Sequence, residues 1–466
     1  MRKPRNRELN GLTVESVAAH GMGLARHEGK VIFIEKAIPG DVVDVRLTKN
    51  KKDYAMAYPV RFEKRSALRS EAFCEHFGVC GGCTWQDVAY EQQLQFKHDL
   101  VADAFRRTGK VMELPAIPPV TGSLHDRYYR NKLEYTFSNN RWLTAEEIDN
   151  KEELNRNALG FHIPGRFDKI LDIRYCYLQP APSNEIRLAV RAYAMLRNLT
   201  FYDLRTHEGY LRNLVIRNTS TGGLMIILVV AEDRPETMAI IRHLQQAFPE
   251  ITSLYYAINT KLNDAMYDLE MVHAGGEKTI REEIDGISYH LGPKSFFQTN
   301  THQAAILYRT ALGMADLQAD DVVYDLYTGL GSIALLAAGS CKKVVGVETI
   351  DAAVEDARKN AIANHIDNCT FVAGDMMKVF NDAFIEKHGK ADVVITDPPR
   401  AGMHEDVCRT LLRLNPRSII YVSCNPVTQA RDVQWLSEGY RVTQIQPVDM
   451  FPQTFHIENV VKLERR

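Results

Sequence analysis

From about residue 300 onward, short apolar runs alternate with stretches whose apolar residues recur at helical spacing. The runs are VVYDLY, KVVGVE, TFVAG, DVVITD and SIIYVS, each bounded by turn residues. The clearest helical pattern between them is IDAAVEDARKNAIANH. Such alternation predicts an α/β unit with a parallel sheet and helices on both faces. Residues 9–62 follow a different pattern. LTVESVA, VIFIEKA, DVVDVRLTKN and YAMAYPVRFE are short alternating runs, parted by the turns GMGLARHEGK and IPGD. About five strands in so short a segment predict a small OB-like β-barrel.

The middle of the chain is mixed. WQDVAYEQQLQFKHDLVADAFRRTG carries Leu94, Leu100, Val101 and Phe105 near helical spacing and ends at a glycine, which predicts a helix over 86–108. NLVIRNTSTGGLMIILVVA is β-rich, and PETMAIIRHLQQAF reads as a helix. Three units are therefore expected: a barrel over 1–63, an α/β central domain over 64–285, and a larger α/β domain over 286–466. The helix 86–108 can reach across to the last of these.

Length agrees with this division, since 466 residues exceed what one core supports. Hydrophobic residues at 45% and charged residues at 25% are ordinary for a globular chain. No apolar run approaches the roughly 20 residues of a membrane span. The start MRKPRNRELN is basic but has no apolar core of the secretory type, so a cytoplasmic location without membrane contact is expected. Charge changes the picture by its distribution. The net charge is −2, yet residues 1–70 hold 15 Lys and Arg against 8 Asp and Glu, a balance of +7 that leaves −9 for the rest. A basic barrel on an acidic body suits phosphate binding, although a solvated basic tail would give the same balance.

Of the eight cysteines, Cys74, Cys80 and Cys83 form C-x5-C-x2-C. In a cytoplasmic chain such a cluster suggests metal or redox chemistry before a disulfide framework. Three thiols are one short of a tetrahedral site.

VVYDLYTGLGSIALLAA reads as strand, glycine loop, helix. Gly329 and Gly331 allow a ligand close to the backbone. Glu348 ends the next strand, where an acid accepts hydrogen bonds from ribose hydroxyls. Asp375 follows the third strand, at a place suited to an adenine. A full G-x-G-x-x-G is missing, since residue 334 is alanine. The arrangement resembles a class I S-adenosyl-L-methionine methyltransferase.

Asp397 and Arg400 of DPPR, Cys424 of SCNP and Glu458 of HIEN fall at strand ends or beside the last strand. Carboxyl ends of strands line the ligand crevice of open α/β sheets, so Asp397 and Cys424 should face one cleft. Each has a bland reading: a turn, a small buried hydrophobe, a surface charge. Together, a thiol and a carboxylate suit methylation of uracil C5. That carbon is a poor nucleophile until a thiolate adds at C6, and a base must then remove the C5 proton.

FFQTN, YTGLG, DPPR, SCNP and HIEN, in this order, resemble the RNA uracil-C5 methyltransferase family, as does YRNKLEY at 129–135. The resemblance implies Cys424 as nucleophile and Glu458 as proton-abstracting base. It implies cofactor contacts from Gln298, Tyr327, Glu348 and Asp397, and an ordering role for Arg400. Residue 328 is threonine, where many members carry cysteine. G-x-G-x-A-R, a strand, then AIPGDVV resembles the TRAM domain, an RNA-binding module. With C-x5-C-x2-C it resembles the branch that acts on 23S ribosomal RNA and holds a 4Fe–4S cluster, with Cys176 as fourth ligand. Four thiolates suit such a cluster; zinc would also accept them, but the resemblance favours iron–sulfur. Transfer RNA is the alternative substrate. A monomer is expected. A radical S-adenosylmethionine enzyme would need C-x3-C-x2-C, and an amino-group methyltransferase needs neither Cys424 nor an Arg after the prolines. A non-catalytic RNA-binding protein is the alternative from outside enzymology. Far along the chain from Cys424, the cysteine cluster is expected to serve structure or RNA contact rather than redox catalysis.

Overall fold

A computed structural model describes residues 8–111, 114–144, 147–148 and 154–466. The first seven positions, which hold four of the basic residues counted above, lie outside the described residues.

Residues 8–64 form a six-stranded sheet whose strands, named by first residue, run in the order 8-42-54-30-23-16. The extra strand relative to the sequence pattern is the two-residue Ser16–Val17, too short for alternation to register. Alternate residues such as Val43, Val45, Ala55 and Ala57 turn inward to a small core with Ile32 and Ile34. The hairpin of Val42–Asn50 and Tyr54–Lys64 projects the exposed Lys49, Lys51 and Lys52 at its tip.

A second sheet has the order 272-253-224-211-132-158-166. Leu211–Asn218 and Leu224–Val230 are buried almost throughout, which is why they read as continuous apolar runs. Helices Ser183–Leu196 and Pro235–Ala247 cover one face. The other face shares a core with the hairpin Ile280–Leu291 and the C-terminal sheet, through Val215, Ile227, Leu291, Leu307 and Val323.

The third sheet has the order 369-343-322-393-418-458-440. All neighbours pair in parallel except those of Glu458–Arg465, which runs antiparallel to both its partners. The parallel expectation therefore fails at this one strand. Residues 449–457 hold no helix, so the chain can only turn back, since a parallel return needs a crossover of a dozen residues or more. The first strand, Val322–Leu326, sits centrally, and the crevice opens where the order reverses beside it. The α/β class and the class I arrangement are borne out.

The interdomain helix starts at Tyr90, later than its apolar pattern, and runs to Ala104 before a wide turn to Gly109. The Gln93 amide donates to the carbonyls of Trp85 and Val88 at 3.0 and 2.9 Å, which holds the preceding segment in a turn. The helix lies on Pro426–Leu436 and Tyr440–Val448. Its Lys97 is fully buried and pairs with Asp449 at 2.6 Å.

Candidate active site and cysteine cavity

Strand ends bring Asp397, Cys424 and Glu458 together. Asp397 follows Val393–Thr396, Cys424 follows Ser418–Ser423, and Glu458 opens the antiparallel strand, with Asn459 paired to Ser423. Burial pushes the Cys424 thiol up to about 11, Glu458 and Asp397 add to this, and Arg400 opposes it. Burial, then Asp397, holds the Glu458 carboxyl well above the ordinary carboxylate range. Asp397 is raised to about 7 by burial and by Asp325. Three acids and a thiol thus share a poorly solvated pocket, and a bound cation would relieve them.

Arg400 is fixed by its backbone. Its carbonyl accepts from Asn425 Nδ2 at 3.0 Å and from Thr428 Oγ1 at 3.1 Å. The DPPR loop is thereby tied to the helix that begins at Pro426. The Arg400 guanidinium donates to His456 Nδ1 at 3.2 Å. Burial and the nearby Arg400 lower His456 to about 4, so its ring is a neutral acceptor.

The glycine loop is built for a close approach. Gly331 has φ 85°, and a Cβ there would lie 3.1 Å from the Phe371 ring. Glu348 ends Lys343–Glu348 and accepts from the Gly329 N–H at 3.0 Å and the Thr349 N–H at 2.8 Å. Asp375 caps the short helix Met376–Val379. Tyr327 and Asp375 line a crevice of about 570 Å³ with Met376, Met403 and Trp435. The buried Asp325, raised to about 7 by burial, accepts from Thr328 Oγ1 at 2.5 Å and the Ala334 N–H at 3.0 Å. Threonine at 328 therefore has a clear task, closing a hydrogen bond on a buried acid. Gln298 is placed from the other side: its carbonyl accepts from Asn131 Nδ2 at 2.8 Å. An acid at the second strand end, an acid and an aromatic ring at the crevice, and a tight glycine turn fit a nucleoside cofactor bearing a sulfonium.

Cys74, Cys80, Cys83 and Cys176 line one cavity of about 990 Å³ and form no disulfide. Burial raises Cys80 to about 11 and Cys83 to about 12, and neighbouring thiols add to both. The Gly82 N–H points at Cys80 Sγ at 3.4 Å, and the Gln86 amide at Cys83 Sγ at 3.2 Å. Donors aimed at sulfur favour anionic sulfur. Among the described residues, no three His, Cys, Asp or Glu side chains are arranged to hold a single metal ion.

Separation along the chain is misleading here. The same cavity reaches Thr454, Phe455 and His456, next to Glu458. The N–H groups of Thr84 and Trp85, just after Cys83, donate to the Gln453 carbonyl at 2.7 and 3.0 Å. Tyr129 OH donates to the Pro452 carbonyl at 2.9 Å. The loop 449–457 is thus clamped by Lys97, Tyr129 and the cysteine loop. Lys97 and Asp449 carry no motif, and only the fold pairs them. Thr299 Oγ1, Arg130 Nε and Asn131 Oδ1 are buried without a protein partner, and Thr299 and Arg130 line the cavity. Unmet polar groups at such a place suit a polar ligand edge.

Fold and site define a class I methyltransferase with a candidate nucleophilic thiol. The profile of the tRNA (Uracil-5-)-methyltransferase family matches residues 277–466, and that of the TRAM domain matches residues 11–60. An uncharacterized RNA methyltransferase of Bacteroides thetaiotaomicron is 49% identical over 455 residues, covering 97% of this chain and 100% of the relative. One from Porphyromonas gingivalis is 48% identical, covering 97% and 99%. The crystal structure of Pyrococcus abyssi tRNA (uracil-54, C5)-methyltransferase, in complex with S-adenosyl-L-homocysteine, superposes with a TM-score of 0.74 at 28% identity, covering 97% of this chain and 99% of that one. The chain belongs to the RNA uracil-C5 methyltransferase family. It is an S-adenosylmethionine-dependent enzyme acting on RNA and carries a TRAM domain. Among the described residues no helix is long and apolar enough to cross a membrane.

Proposed function

We propose that the protein methylates C5 of a uridine in 23S ribosomal RNA through a covalent bond from Cys424 to C6. The observation that carries this reading is the convergence of Cys424, Glu458 and Asp397 at neighbouring strand ends, with Arg400 against the thiol. S-adenosylmethionine supplies an electrophilic methyl group when bound. Gln298, Tyr327, Glu348 and Asp397 would hold it, and Asp375 would meet the adenine. The Cys424 thiolate forms the bond to C6, and the electron pair moves to C5, which takes the methyl group. Glu458 removes the C5 proton, the C6–S bond breaks, and the thiolate is restored. The target base must leave its stack, because C6 is closed off within a helix.

We assign RNA affinity to residues 1–63, the cysteine site to 64–285 and methyl transfer to 286–466, working as a monomer in the cytoplasm. Free thiols without a disulfide suit a reducing compartment. Cys74, Cys80, Cys83 and Cys176 would hold a 4Fe–4S cluster. Four free thiols lining one cavity, with N–H donors aimed at two of the sulfurs, support this reading, and four thiolates would also accept zinc. Anaerobically purified protein should be brown with about four irons per chain, the stoichiometry of such a cluster; stoichiometric zinc without iron contradicts it.

The barrel and cysteine motif support ribosomal RNA. The Pyrococcus abyssi likeness favours transfer RNA as a second reading. Mapping 5-methyluridine in both RNAs, with and without the gene, decides: loss from 23S RNA alone supports the first, loss from transfer RNA the second, and loss from neither contradicts both.

A further inference from the structure

Four aromatic rings and an arginine cluster beside Cys74 and Cys176, which Phe73, Tyr175 and Tyr177 flank in the chain. Tyr177 is the hub, with ring centroids 4.8 Å from Tyr175, 5.2 Å from Phe73 and 6.1 Å from Tyr128. The Arg127 guanidinium lies 3.9 Å from the Phe73 ring centre. Tyr128 is 42% exposed and Tyr175 is 37% exposed. Backbone bonds fix the two segments: the Tyr128 N–H donates to the Tyr177 carbonyl at 2.7 Å and the Arg130 N–H to the Leu178 carbonyl at 2.8 Å.

Tyr128 has φ 54°, a left-handed conformation that bulky residues rarely adopt. Strain of this kind persists where the surroundings over-determine it, commonly at ligand sites. Here it turns a large ring outward beside Tyr175 instead of into the core. Tyr175 and Tyr177 also line the cavity that ends at Phe455 and His456. Through Tyr175 and Tyr177 the aromatic face adjoins the cavity that reaches His456, whose ring accepts from Arg400 of the proposed catalytic group, and Arg127 and Arg130 supply positive charge nearby.

We propose that Tyr128 and Tyr175, held by Tyr177 and Phe73, form a stacking platform for an unpaired base of the RNA next to the target uridine. Exposed rings with an adjacent arginine match the way single strands are held, by base stacking with the backbone neutralised nearby. Continuity with the cavity places the platform within reach of nucleotides flanking an extruded uridine. The proposal rests on the uridine-methylation reading, and the test separates the two. The platform sets RNA affinity and takes no part in bond making.

The experiment uses the full-length protein as purified, with its native metal content, and a fluorescein-labelled transcript of the RNA that mapping identifies, containing 5-fluorouridine. Fluorine at C5 cannot be removed as a proton, so the C6–S bond stays closed after methyl transfer and the adduct survives denaturing gels. Tyr128→Ala, Tyr175→Ala, Tyr128→Phe and Tyr175→Phe are compared with the wild type. Each alanine variant should raise the RNA concentration for a half-maximal initial rate of adduct formation by roughly fivefold or more, the range seen for loss of one stacked base. The limiting initial rate at saturating RNA and the metal content should stay as in the wild type. The phenylalanine variants should bind as the wild type, because the ring is kept. A wild-type adduct with unchanged half-saturation in both alanine variants overturns the platform. So does equal weakening by the phenylalanine variants, which would assign the effect to the hydroxyl groups. Absence of any wild-type adduct instead overturns the covalent uridine reading.

Discussion

The Cys424 thiol raises the sharpest question at the residue scale. Burial keeps it near 11 in the free enzyme, and Arg400 is the neighbour that works against this. At neutral pH only a small fraction is thiolate, and that fraction grows about tenfold per pH unit until the thiol titrates. The kcat/KM for methyl transfer should therefore rise with pH above 7. Arg400→Gln removes the lowering charge, so the thiol moves further up and the rate at pH 7.5 should fall by roughly tenfold, about one unit of pKa. The deficit should stay near tenfold up to about pH 10 and shrink only as the wild-type thiol titrates, near 11. The pH dependence of Cys424 alkylation, read by mass spectrometry on both proteins, checks this; equal alkylation of the two at each pH would assign Arg400 to binding alone. The motif residues were legible because their chemistry needs fixed residue types at strand ends. Their neighbours were not. Asp449 and Lys97 lie far apart in sequence, and only the fold buries them as a pair.

At the scale of elements, the junction of barrel, cysteine loop and loop 449–457 matters most. The turn Ala19–Gly21 of the barrel sits on the catalytic loop: a Cβ on Gly21 would lie 2.9 Å from Phe455 Cβ and 3.2 Å from Thr84 Cγ2. Gly21 has φ 70°, and Gly29 has φ 75° with nothing within 4 Å. The two glycines carry similar backbone strain on substitution, and only one carries a clash. Gly29→Ala should cost on the order of 1 kcal/mol. Gly21→Ala should cost more and should also lower methyl transfer, because Phe455 and His456 must shift. Thermal unfolding and turnover on both variants check this, and equal effects would remove the contact from the account. Alternation showed the barrel and the parallel strands plainly. It did not show the reversed last strand, since antiparallel return depends on what lies between strands. Nor did it show the late start of the helix at Tyr90, where the Gln93 side chain holds a turn that apolar spacing alone would continue.

Across the whole molecule, the basic barrel and the catalytic sheet must meet one RNA. Deleting the barrel would expose Trp85 and Phe96, which pack with Val17 and Ile38 of the barrel. Charge removal at the hairpin tip is cleaner. Lys49, Lys51 and Lys52 are exposed there. If all three meet phosphates, changing them to alanine should weaken RNA binding and reduce the slope of log K against log salt by about 2, at roughly 0.7 per single-strand contact. An unchanged slope would place the RNA elsewhere. The charge asymmetry was visible in the sequence, whereas the nearness of cysteine cavity and catalytic loop was not, because residues 84 and 453 meet only through the fold.

The central claim is sequential action of Cys424 and Glu458 on one uracil, and Glu458→Gln tests it most directly. In that variant the thiol still adds to C6 and the methyl group still moves, but no efficient acceptor remains for the C5 proton. A methylated RNA–protein adduct should accumulate and survive denaturing electrophoresis, and Cys424→Ala should form neither adduct nor 5-methyluridine. Free turnover by Glu458→Gln without a trapped complex, or near-normal turnover by Cys424→Ala, would contradict the mechanism.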